Sequence, residues 1–199
     1  MRGDVQLTGS PEPETRFDRI PPNHMVKGLF FTRLLDLVGD QLKTKSIPML
    51  ERPLLRRYLP FADYPQVDYS RLTVACAREL YPQLPLREGL RRVARDDFHV
   101  YFTSRLGLVM LALLGDVRSS LLRFPDMFRT VLKGGRFFAR EISDTEIELR
   151  LEDFYGWVDC YPLGSVEGLV LHHGAPVDIE VEVSDNQLSA TYLVHLPPR

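Results

Sequence analysis

GRFFAREISDTEIELRLEDF, residues 135–154, is where the period of the chain changes. Upstream, apolar residues recur every three or four positions. Here Ile147, Leu149 and Leu151 alternate with Glu146, Glu148, Arg150 and Glu152, the two-residue period of a strand with one face buried. Ser143-Asp144-Thr145 supplies a tight turn, so the stretch reads as a hairpin. The pattern returns in APVDIEVEVSDNQLSATYLVHL (175–196), where Val177, Ile179, Val181 and Val183 alternate with acidic residues before Ser184–Gln187 turns the chain. Between the hairpins, PLGSVEGLVLHHG (162–174) reads as a short helix. Helices first, then β-β-α-β-β, predicts an α+β fold: an N-terminal helical part packed on a C-terminal four-stranded antiparallel sheet.

Working outward, HMVKGLFFTRLLDLVG (24–39) has helical spacing through Met25, Leu29, Leu34, Leu35 and Val38, with Asn23 to cap it and Gly39 to stop it. DYSRLTVACARELY (68–81) follows with Asp68 as its cap, and Pro82 and Pro85 end it. Leu86–Leu114 is the spine of the molecule, one helix bent near Gly107. VRSSLLRF and DMFRTVLKGG read as two shorter helices separated by Pro125. Residues 1–22 carry four prolines and no period, and are expected to form a flexible leader. Residues 23–199 then make a single α+β domain, helical over 23–134 and sheet-rich over 135–197.

Composition narrows the function classes. The 199 residues suit one domain with its own core. The N-terminus lacks the apolar stretch of a signal peptide, and LGLVMLALLG (106–115), the longest apolar run, falls short of the ~18 residues of a spanning helix. Two cysteines, Cys76 and Cys160, are too few for a disulfide framework, which points to the cytoplasm. Residues 141–199 hold 12 acidic against 2 basic residues, and residues 1–140 hold 23 basic against 15 acidic. Two parts that pack together neutralise such an asymmetry, so no nucleic acid is expected.

Candidate functional residues cluster in the spine. In FHVYFTSRLG (98–107), Tyr101 and Arg105 are i, i+4 on a helix and Ser104 sits beside them, so the three can converge on one anionic group. The alternative is that Arg105 pairs with an acidic residue of the sheet and Tyr101 is core. Arg87, Arg91 and Arg95 form a stripe of like charge at i, i+4, i+8 that needs an acidic counterpart on the sheet half, a second subunit or a partner protein. The histidines at 24, 99, 172, 173 and 195 have no ligand spacing, so no metal is expected. Cys160, twelve residues before His172, has nothing nearby to activate its thiol, and KGGR (133–136) reads as a turn and not as a phosphate loop.

Together VKGLFF–LLDLVGD, ARELYPQLPLREGLRRVARDDF, SRLGLVMLALLGD, LLRFPDMFRT and VEGLVLHHG resemble a family of roughly 200-residue proteins of unknown function, found as many paralogues in myxobacteria. The resemblance covers about residues 17–196 and implies no catalytic residue. Tyr101, Ser104 and Arg105, followed by Leu106-Gly107-Leu108, are similar more distantly to the fold shared by haem nitric-oxide-binding domains, 4-vinyl-reductase-type domains and TRAPP subunits. The haem domains hold propionates with Tyr-x-Ser-x-Arg and iron with an upstream histidine. This chain has Tyr-x-x-Ser-Arg and no histidine between His24 and His99, so no cofactor is expected. The expectation that follows is a cytoplasmic, non-catalytic regulatory or scaffolding module in signalling, acting through self-association as a homodimer or through a protein partner. The alternative is a small-molecule sensor whose pocket lies between the 86–114 helix and the sheet, where Tyr101, Ser104 and Arg105 hold a small anionic ligand. The second alternative is a Cys-dependent enzyme.

Overall fold

The computed structural model describes residues 16–39, 57–103 and 115–198, the side chains of 99–103 excepted. Among the described residues, five helices and two antiparallel sheets make an α+β fold, as the change of period predicts. In chain order the elements are β1 (Met25–Lys27), α1 (Gly28–Val38), β2 (Asp63–Pro65), α2 (Gln66–Leu80), α3 (Leu86–Thr103), α4 (Val117–Val131), β3 (Leu132–Lys133), β4 (Arg136–Ser143), β5 (Glu146–Glu152), α5 (Tyr161–His172), β6 (Ile179–Val183) and β7 (Ala190–His195).

The larger sheet has the order β4-β5-β7-β6, so both hairpins form and the two inner strands pair across them. Register aligns the alternating apolar residues: Ile147 faces Val194, Leu149 faces Tyr192 and Leu151 faces Ala190. That face is buried, and Leu163, Val166, Leu169 and Val170 of α5 join it in one core, with Phe124 of α4 beside Phe137 of β4. A second core lies among α1, α2 and α3, built on Phe31, Leu34, Leu72, Leu90 and Val93. Between them, α3 packs along α5 at glycine distance: a Cβ on Gly168 would lie 2.9 Å from the Phe98 Cβ, and one on Gly164 would lie 3.0 Å from the Ala94 Cβ.

Four expectations change. Residues 25–27 form a strand, and the first helix starts at Gly28, because Met25–Lys27 pairs with both Asp63–Pro65 and Leu132–Lys133 in a three-stranded sheet whose short strands carry no alternation signal. Pro125 lies inside one continuous helix, α4. The hydrogen bond it forgoes is outweighed by burial of Leu121 and Phe124 on the same face. Phe17 and Ile20, assigned to the leader, are buried in the second core, with Phe17 edge-on to Trp157. Finally, among the described residues α3 packs along α5, which lies on the sheet face. Gly39 stops α1 as expected, at φ 63°, and Gly134 and Gly135 make the β3–β4 turn at φ 129° and 74°.

Candidate functional site

Where the two cores meet they leave a cavity of about 110 Å³. One side is apolar, walled by Phe98 of α3, Phe124, Met127 and Phe128 of α4, and Phe154 of the loop after β5. The other side is built by α2, whose Gln66, Tyr69, Ser70 and Thr73 sit at i, i+3, i+4 and i+7 and so share one face. All four are buried. Arg33 of α1, Asp97 of α3, Trp157 of the loop before α5 and Tyr161 at the start of α5 complete that wall.

The polar wall is a connected network. The Arg33 guanidinium lies 3.0 Å from an Asp97 carboxylate oxygen, with side chains only 6% and 5% exposed, and it also donates to the Asp97 backbone carbonyl. Tyr161 also hydrogen-bonds the Asp97 carboxylate, and the Tyr69 and Tyr161 hydroxyls share a hydrogen bond at 2.5 Å in which either can donate. Burial pushes the Asp97 carboxyl up to about 6, against the pull of Arg33 and the Tyr161 hydrogen bond. Burial likewise drives both phenols well above their ordinary range, so they stay protonated donors. Thr73 donates to the Tyr69 carbonyl at 2.9 Å, which turns its hydroxyl back on its own helix. The indole Nε1 of Trp157 is buried without a hydrogen-bond partner among the described residues.

Of the sequence candidates, Ser104 and Arg105 lie outside the described residues, and so does the side chain of Tyr101, whose backbone is in the last turn of α3. The arginine stripe is not a free interaction surface. Arg87 is ion-paired with the buried Asp159, and Arg91 holds both carboxylate oxygens of buried Glu167, its Nε 3.0 Å from each. Arg95 lies 4.0 Å from Asp96. The charge asymmetry of the chain is thus answered in part between α3 and α5. Cys160 is buried and its thiol is pushed up to about 12 by that burial, the opposite of an activated nucleophile. Among the described residues no group of three or more His, Cys, Asp or Glu can hold a metal ion. Sequence reasoning missed Arg33, Asp97 and the α2 face. The signal was present: a lone arginine inside the apolar run LFFTRLL, and polar residues at core spacing from Gln66 to Thr73.

Residues 19–195 match the model of a family described as a protein of unknown function, DUF2378. The chain belongs to the DUF2378 family. No curated protein matches it. Solved structures share its fold. An H-NOX protein from S. oneidensis in the Fe(II)NO ligation state aligns with a TM-score of 0.68 at 16% identity, over 86% of this chain and 99% of its own. An Fe(II) unliganded H-NOX protein from K. algicida gives 0.63 at 16%, over 87% and 97%. An oxygen-binding H-NOX domain related to soluble guanylate cyclases, in its oxygen complex, gives 0.64 at 18%, over 86% and 92%. These neighbours are ligand-binding domains, and this DUF2378 chain has a cavity of its own. That overturns the expectation of a purely scaffolding module in favour of the sensor alternative.

The heme named for the H-NOX family does not fit the described cavity. Iron takes an axial His, Cys, Met or Tyr. No histidine or cysteine is among the described lining residues, and the two tyrosines are committed to each other and to Asp97, which leaves Met127. The 110 Å³ of space is also well below the ~300–1,000 Å³ of ordinary cofactor and drug pockets.

Proposed function

We propose that the protein is a small-molecule sensor that binds its ligand in the cavity between the two cores and does no chemistry of its own. The carrying observation is a small aromatic-lined space with a buried, internally hydrogen-bonded polar network along one wall. Close packing leaves few voids larger than a water molecule in a domain core, so a void at the junction of two cores has the character of a site. Two buried free thiols suit a cytoplasmic setting. The signal passes to a protein partner, since binding alone makes no product.

The chain's one tryptophan lines the cavity, which makes occupancy visible. Benzene is expected to raise the melting temperature and to change Trp157 emission, while the purified protein shows no Soret band. A protein indifferent to benzene and to smaller apolar probes by both readouts would refute the sensor reading. A Soret band would restore heme in its place.

A further inference from the structure

Resting on that reading, we propose that the ligand is a short neutral aliphatic molecule with one accepting oxygen, and that the oxygen is held by the Ser70 hydroxyl and the Gln66 amide nitrogen of α2.

The two groups are what remains after every other polar side chain of the wall is accounted for. Arg33 and Asp97 form an ion pair, and Tyr69, Tyr161 and the Asp97 carboxylate are joined by hydrogen bonds. Thr73 and Ser165 turn their hydroxyls back on the carbonyls four residues earlier, Tyr69 at 2.9 Å and Tyr161 at 3.4 Å, and Thr130 donates to the Met127 carbonyl at 2.7 Å. The Trp157 Nε1 is sealed in the packing.

Ser70 makes no such bond to its own helix. Its hydroxyl has no hydrogen-bond partner among the described residues. The Gln66 oxygen meets the His24 ring nitrogen at 3.2 Å, which leaves the Gln66 amide nitrogen also without a partner among the described residues. Unlike the indole nitrogen, both atoms keep accessible surface, although Ser70 is 4% and Gln66 2% exposed. Both residues wall the cavity, so that surface opens on it. They stand one turn apart on one face of α2, within reach of a single oxygen. An amide nitrogen only donates and a serine hydroxyl can donate, so the group they share is an acceptor.

Size and charge limit the rest. A dry cavity of ~150 Å³ in another protein holds benzene, so about 110 Å³ takes a molecule no larger, by proportion about four or five non-hydrogen atoms. Away from Ser70 and Gln66 the space faces Phe98, Phe124, Met127 and Phe128, where water would lack partners and a short hydrocarbon chain would not. Arg33 already has its counter-ion in Asp97, at 3.0 Å. An ionic ligand of either sign would unbalance that buried pair, and a neutral one leaves it matched.

The test is an amide NMR titration with 2-butanone and with 2-methyl-1-butene, which replaces C=O by C=CH₂ on the same shape. Ser70→Ala is expected to weaken 2-butanone binding about five- to tenfold, the effect of one hydrogen bond, and Gln66→Met to do the same. Binding of 2-methyl-1-butene should be unchanged in both, which also shows that the variants are folded. Propionate and propylammonium should bind wild-type protein more weakly than 2-butanone. If both variants bind 2-butanone as wild type does, or lose the alkene equally, the assignment of the oxygen is overturned and the sensor reading stands. Tighter binding of either ion overturns the neutral ligand. Binding of none of the four, together with indifference to benzene, overturns the sensor reading as well.

Discussion

Gly164→Ala isolates the contact that sets the distance between the two cores. In an exposed helix the change would stabilise by about 1 kcal/mol, since alanine restricts the unfolded chain and favours helix. Here the added methyl falls inside the contact shell of the Arg91 carbonyl oxygen and 3.0 Å from the Ala94 Cβ. Neither can rotate away, because one is backbone and the other is fixed to it, so α3 and α5 must separate along a shared face. Overpacking of this kind costs about 1–3 kcal/mol, and more when backbone has to move. A carbonyl oxygen sits at the clash, so the upper end applies, and after the helix gain the net loss is about 2 kcal/mol. In a domain of this size that lowers the melting temperature by roughly 4–8 °C. Gly168→Ala should lose less, because its nearest contacts, the Phe98 Cβ at 2.9 Å and the Arg95 carbonyl oxygen at 3.0 Å, are looser than the Arg91 carbonyl oxygen at Gly164, but both are fixed to backbone and keep it from being neutral. Urea unfolding followed by far-ultraviolet circular dichroism measures both. If Gly164→Ala is as stable as wild type or more so, the close approach of α3 to α5 is wrong.

Asp97 should give stability an unusual pH slope. Its carboxyl binds a proton more tightly in the fold, near 6, than at its ordinary 3.8. Its contribution is therefore complete below about pH 4 and is lost as the pH rises through 6, on the order of 2–3 kcal/mol in all. Subtracting the stability curve of Asp97→Asn from that of wild type should expose this fall, and a difference that rises with pH would contradict it. Arg91→Ala leaves the Glu167 carboxylate buried without its bidentate partner and should cost about 2–4 kcal/mol. Exposed Arg140→Ala should change little, and equal losses in the two would remove the structural role of the α3–α5 pairs. Cys160 should react with iodoacetamide near neutral pH no faster than the protein unfolds, given a thiol pushed up to about 12; rapid alkylation of the native protein would revive the cysteine enzyme.

The sheet was legible because strand burial has a short period that nothing else in the chain imitates. Ile147, Leu149 and Leu151 alternate, and the register places each of them on the buried face. The small sheet was not, because strands of two or three residues carry no period and are held by pairing across the chain, Met25 with both Pro65 and Lys133. Pro125 misled for the opposite reason: a local rule about proline yields when the flanking residues are buried. The arginine stripe signalled strain correctly but could not name its partners. Asp159 and Glu167 lie more than 70 residues away in sequence and reach α3 only once α5 is laid along it. The cavity wall was the hardest to see, since its polar residues sit at core spacing on helices that otherwise look amphipathic.

The tight contact and the loose one belong to the same geometry. Gly164 and Gly168 bring α5 against α3, and the pairs from Arg87 and Arg91 hold it there. Once that distance is fixed, α1, α2 and α4 cannot all close on the remaining space. Each of them already commits an apolar face elsewhere: Phe31 and Leu34 of α1 and Leu72 of α2 to the second core, Leu121 and Phe124 of α4 to the first. The void falls where the large rings of the two cores face each other without interlocking. The Asp97–Arg33 pair crosses the same junction from α3 to α1. Occupancy of the cavity therefore bears on α3 at Asp97 and Phe98, in the half of the helix beyond its arginine anchors.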